Sequence, residues 1–157
     1  MTHLPLKPLL LAAGLFMASA QAATPDIQPY LGKWRTDDGE VLALNAKGDV
    51  RIQQANRKGD CTGHYANRYQ TLSREQLVKD LQRFIRELDP EEDDIHTQRR
   101  LANEQLQQLR KNAQYTSLFS MCSDGSRTHV FISPSHGFYL EEGGGNEWLV
   151  LMRKVQP

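Results

Sequence analysis

The chain is poor in the features that usually betray an activity. It has two cysteines, Cys61 and Cys122, and no Cys-x-x-Cys pair, so nothing points to dithiol redox chemistry. His-Glu-x-x-His, Gly-x-Ser-x-Gly and a glycine-rich loop closed by Lys-Ser or Lys-Thr are all missing. Neither sign of charge is in excess, with 19 basic against 19 acidic residues. Phosphate binding needs clustered positive charge, so nucleic acid is a poor partner. After the first two dozen residues no apolar run approaches the roughly 20 residues that span a bilayer.

The residues able to do chemistry are scattered. His64, His96, His129 and His136 lack the tight spacing of metal ligands. Ser133, Ser135 and His136 are close in sequence, but a turn explains them as well as a triad does. Glu91-Glu92-Asp93-Asp94 lacks the spaced oxygens and the glycine of a calcium loop and suits the first turn of a helix. Glu141 and Glu142 are neighbours on a strand, so they point to opposite faces and cannot act as an acid–base pair. The expectation is a protein that is not an enzyme and has no metal and no cofactor.

What is present begins with a signal peptide over residues 1–22. Lys7 supplies the positive start, Leu9 to Ala18 the apolar run, and Ala20-Gln21-Ala22 the cleavage pattern, with Ala18-Ser19-Ala20 as a second option. No cysteine follows either site, which argues against a lipid anchor. Residues 23–157 are then one periplasmic domain of 135 residues (157 − 22). Losing Lys7 leaves 18 basic against 19 acidic residues. In an oxidising compartment Cys61 and Cys122 are expected to pair, closing a loop of 61 positions (122 − 61). The bridge would add at most roughly 4 kcal/mol.

The mature part reads as four short strands, two helices and four more strands. Strand-like runs cover Tyr30–Arg35, Glu40–Leu44, Asp49–Gln54 and Cys61–Tyr69, then Tyr115–Cys122, Arg127–Ile132, Gly137–Glu141 and Glu147–Arg153. Between the two sets, at about 73–113, lies a helical hairpin. Ser73-Arg74-Glu75-Gln76 is a capping box, and Leu77, Leu81, Phe84, Ile85 and Leu88 form an apolar stripe. Asp89 and Pro90 start a second helix, whose stripe is Ile95, Ala102, Leu106, Leu109 and Ala113. In the last strand Trp148, Val150 and Met152 face one way and Leu149 and Leu151 the other. Strands greasy on both sides need cover, so the hairpin should pack on the outside of the C-terminal strands. The fold class is α+β: a small antiparallel β-barrel or strongly curved sheet of about eight strands, with the hairpin between strands four and five. A Cys61–Cys122 bridge would pin the hairpin at its base.

Gly32-Lys33-Trp34 on the first strand resembles the Gly-x-Trp signature of the lipocalin and wider calycin group. That resemblance implies a basic residue from the final strand, Arg153, packed across Trp34. It also implies a carrier of a small apolar ligand. Strands of about six residues make a barrel only about 20 Å tall, which side chains such as Tyr65, Phe119, Phe138 and Trp148 would fill. The favoured expectation is therefore a binding protein for another periplasmic or extracellular protein, of inhibitor or immunity type. Its contact rim would gather the turns at one end of the barrel: Asp37, Asp38, Arg57, Lys58, Asp124, Glu142 and Asn146.

Overall fold

A computed structural model describes residues 24–53, 67–122, 125–143 and 146–156, with only the backbone of Asn146. Eight antiparallel strands form one curled sheet, a half-barrel, as the two-faced strand pattern requires. They are β1 (Gly32–Thr36), β2 (Val41–Leu44), β3 (Val50–Gln53), β4 (Asn67–Ser73), β5 (Gln114–Cys122), β6 (Gly125–Phe131), β7 (His136–Gly143) and β8 (Asn146–Lys154). Their order in the sheet is β3-β2-β1-β8-β7-β6-β5-β4. Consecutive strands are neighbours except β3 and β4, which are the two edges of the described sheet, and β1 closes onto β8 through Trp34 opposite Lys154.

The turns form for local reasons. Gly39 (φ 91°) takes the left-handed conformation that brings β1 round into β2. Between β2 and β3 the Asn45 side chain accepts the backbone N–H groups of Lys47 (2.9 Å) and Asp49 (3.0 Å), a side-chain imitation of a backbone turn.

Helices α1 (Arg74–Glu87) and α2 (Ile95–Gln108) form the hairpin between β4 and β5. Ser73 caps α1 by accepting the Gln76 N–H at 3.1 Å, while the Gln76 side chain turns to Asp80 and leaves the capping box half made. The second helix starts later than Asp89-Pro90 suggests. The Asp89 carboxylate takes the Glu91 N–H (2.9 Å) and holds residues 90–94 in turns, so helix begins at Ile95. It also ends before Ala113, which is exposed.

The sheet separates two cores. On its convex side Leu77, Leu81 and Phe84 of α1 and Ala102 of α2 pack on Val130, Phe138 and Leu149. On its concave side Trp34, Leu42, Ile52, Leu118, Phe131 and Met152 pack together. Burial of this kind contributes about 1.5–3 kcal/mol per large apolar side chain. Phe138 belongs to the convex core and Phe119 lies opposite in parity to the inward Leu118, with Arg68 stacked over its ring at 5.9 Å. Neither fills the barrel as the sequence suggested; Tyr65 lies outside the described residues.

One helix position shows a polar substitute for a strand. Leu149 lies beyond Met152–Lys154, the stretch of β8 that β1 pairs. The buried Gln98 of α2 donates to the Leu149 carbonyl (3.3 Å) and accepts its N–H (2.9 Å). A side-chain amide thus does what a missing backbone would have done.

Candidate functional site

Two polar constellations stand out, one sealed and one bare. The sealed one lies on the concave face. Arg127 and His129 of β6 share that face with Tyr139 and Glu141 of β7, because alternate residues point the same way. The β1–β2 turn folds over them and adds Asp38 and Glu40. Arg127 Nε lies 3.5 Å from Glu40, its other guanidinium end 3.4 Å from Glu141, and His129 Nε2 3.6 Å from Glu40. Tyr139 donates its hydroxyl to Asp38 at 2.6 Å, and Thr36 donates to the same carboxylate and to the Glu40 carbonyl. Burial, reinforced by the Asp38 hydrogen bond and nearby carboxylates, pushes the Tyr139 hydroxyl well above the ordinary tyrosine range.

Glu40, Arg127, His129 and Glu141 are each at most 5% exposed, so their polar ends are sealed from solvent. The arrangement ties the β1–β2 turn to the middle of the sheet. Sequence reasoning passed over it. The available signal was parity: Arg127/His129 and Tyr139/Glu141 are polar pairs at i, i+2 on adjacent strands, so each pair shares one face.

The bare constellation lies on the convex face of β1–β3, where no helix packs. Cross-strand partners share a face, so the register builds two rows. One runs Arg51–Ala43–Lys33 and the other Gln53–Val41–Arg35–Arg153–His136. Lys33, Arg35, Arg51 and Arg153 are all exposed, and none makes an ion pair or side-chain hydrogen bond among the described residues. A shallow hollow of about 370 Å³ opens between Lys33 and Arg51 over Ala43. Its one carboxylate, Asp49, accepts from the Asn45 side chain at 2.8 Å.

Arg153 therefore does not pack across Trp34, as the resemblance implied. Lys154 is the strand partner of Trp34, and Arg153 faces the other way. Lys154 donates to the Pro29 carbonyl (3.1 Å) and passes beside Gly32. Trp34 itself donates to the Tyr30 carbonyl (2.8 Å) and meets the Phe131 ring edge-on at 5.1 Å.

Of the expected rim, Asp37, Asp38 and Glu142 are described, and all three are exposed. Asp38 accepts the Tyr139 hydroxyl, and Glu142 pairs with Arg83 of α1 at 3.3 Å. The helices reach that end of the sheet because α1 runs along its convex side. Asp37 is exposed, with its backbone N–H given to Leu151 (2.9 Å). Arg57, Lys58 and Asp124 lie outside the described residues, as does the side chain of Asn146. Cys61 is also outside them. Cys122 is buried at the far end of β5, eight positions from Gln114 (122 − 114), where the hairpin joins, so a bridge there would hold the opposite end of the β4–β5 ladder and not the hairpin's base.

Among the described residues no group of His, Cys, Asp and Glu could hold a metal ion, and no helix is long and apolar enough to cross a membrane. Comparison of the chain with protein-family models, curated proteins and solved structures finds no match.

Proposed function

We propose that the protein is an exported, non-catalytic binding protein that recognises another protein, as an inhibitor or immunity protein does, and that it offers the convex face of β1–β3 to an acidic surface on that partner. The observation that carries this reading is the uncovered basic face: four exposed cations, none neutralised within the described chain, around an apolar floor of Val41 and Ala43. Exposed cations arranged this way steer an acidic partner and fix its register more than they add raw affinity. A Cys61–Cys122 bridge belongs to the same reading, as the staple of a small periplasmic scaffold.

The carrier reading has less to support it. Trp34, Leu118, Phe131 and Met152 occupy the concave space where a small apolar ligand would have to sit. Capture from the native periplasm, with the mature protein and with an Arg35→Glu/Arg51→Glu variant as baits, tests the proposal. A protein held by the first bait, lost from the second and released by about 0.5 M salt supports it. Equal capture by both baits, or a co-purifying lipid in native mass spectra with no protein captured, overturns it.

A further inference from the structure

The second basic row does not end in open solvent. Arg35 is opposite Arg153, and Arg153 is opposite His136, which carries the row to where α2 crosses β7 and β8. There a pocket of about 230 Å³ is lined by Gln105, His136, Gly137, Leu151, Met152 and Arg153. We propose that this pocket receives a single carboxylate group, an aspartate or glutamate side chain of the acidic partner, with its methylenes against Leu151.

Three hydrogen-bond donors converge there. Gln105 is only 7% exposed, yet its side-chain amide makes no hydrogen bond among the described residues. The amide atoms are not sealed from solvent, so a ligand in the pocket can reach them. The Arg153 guanidinium is equally unengaged, and its fork matches a carboxylate. The third donor is His136. Ser133 Oγ accepts the backbone N–H groups of Ser135 (3.2 Å) and His136 (3.3 Å). Its own hydrogen has two acceptors in reach, and His136 Nδ1 at 2.6 Å is nearer than Ser135 Oγ at 3.2 Å, so the hydrogen goes to Nδ1 and the ring's proton belongs on Nε2. Burial, then Lys111 and Arg153, hold His136 below the ordinary histidine range, so the free protein presents a neutral ring that donates.

None of the six lining residues is acidic, and one permanent positive charge among them matches one negative charge.

The inference rests on the basic face being a recognition surface, and the experiment separates the two. Hexaglutamate is titrated into the mature protein while the His136 ring resonance is followed by NMR, with inorganic phosphate as a second probe. The expected result is a shifted ring signal and a raised His136 titration midpoint on binding, because a carboxylate favours the charged ring. Arg153→Gln and Gln105→Met should each weaken hexaglutamate about tenfold, and Arg51→Gln about two- to threefold with the ring shift kept. If Arg51→Gln and Arg153→Gln weaken binding alike while Gln105→Met binds as wild type and the ring signal stays still, the pocket fails and the basic face stands. Phosphate moving the ring signal as strongly as hexaglutamate overturns the carboxylate assignment. No binding of hexaglutamate at low salt overturns both.

Discussion

The convex face of the sheet has two halves with opposite fates. Over β5–β8 it presents Val130, Phe138 and Leu149, and the helical hairpin covers them. Over β1–β3 it presents Lys33, Arg35 and Arg51, and nothing in the described chain covers those. The backbone pairing is the same in both halves; only the outward residue of each pair differs. Apolar outward residues recruited a second layer, and charged ones were left for solvent or a partner. A near-neutral composition hides this division, because the acidic residues collect on the hairpin (Asp80, Glu87 and residues 91–94) and on the β7–β8 ends beside Arg83.

The division can be tested by substitutions of decreasing effect. Phe84→Ala in the covered half should lower unfolding free energy by about 3–5 kcal/mol in urea titration, through the cavity it leaves under α1. A loss under about 1 kcal/mol would mean that the hairpin is not a true part of the core. Arg127→Met should cost a comparable 3–5 kcal/mol, because Glu40 and Glu141 are left buried without their cation. Partial recovery in a Glu40→Gln/Arg127→Met double variant, which still leaves Glu141 without Arg127, would confirm that cause. Gln98→Leu should cost about 1–3 kcal/mol by orphaning both backbone groups of Leu149, with amide exchange at Leu149 accelerated.

Alkaline pH probes the turn that joins the halves. The hydroxyl of Tyr139 is held above its unfolded value, and that of Tyr69 is pushed up to about 12 by burial and Asp49. Above pH about 10 the unfolded chain loses protons that the folded one keeps, so stability should be flat below that point and fall beyond it. Tyr139→Phe should flatten the decline; an unchanged slope would remove Tyr139 as its source. The smallest effect belongs to the bare half, where Arg51→Gln should change stability by no more than about 0.5 kcal/mol.

Much of this architecture was legible in the residues. The two-faced pattern of Leu149, Val150, Leu151 and Met152 announced a sheet with cover on both sides, and the stripe from Leu77 to Phe84 announced what would cover it. Hairpins of the meander followed from Asp-Asp-Gly and Asn-Ala-Lys-Gly. Other features were not local. Asp89-Pro90 carries a helix-start signal that its own side-chain turn defeats. The outward faces of Phe119 and Phe138 depend on parity relative to the curl of the sheet, not on their greasiness. The basic rows were invisible because Lys33, Arg35, Arg51 and Arg153 come from three strands, and Arg153 is 118 positions from Arg35 (153 − 35). Only pairing of β1 with β8 sets Arg153 beside Arg35.

That pairing also governs when the molecule can assemble. Trp34 waits for Lys154, 120 positions later (154 − 34), before β1 gains its second neighbour. Contacts so distant along a chain are slow to form. Until β8 is in place the three leading strands have only one another, and the basic rows have no Arg153 to complete them.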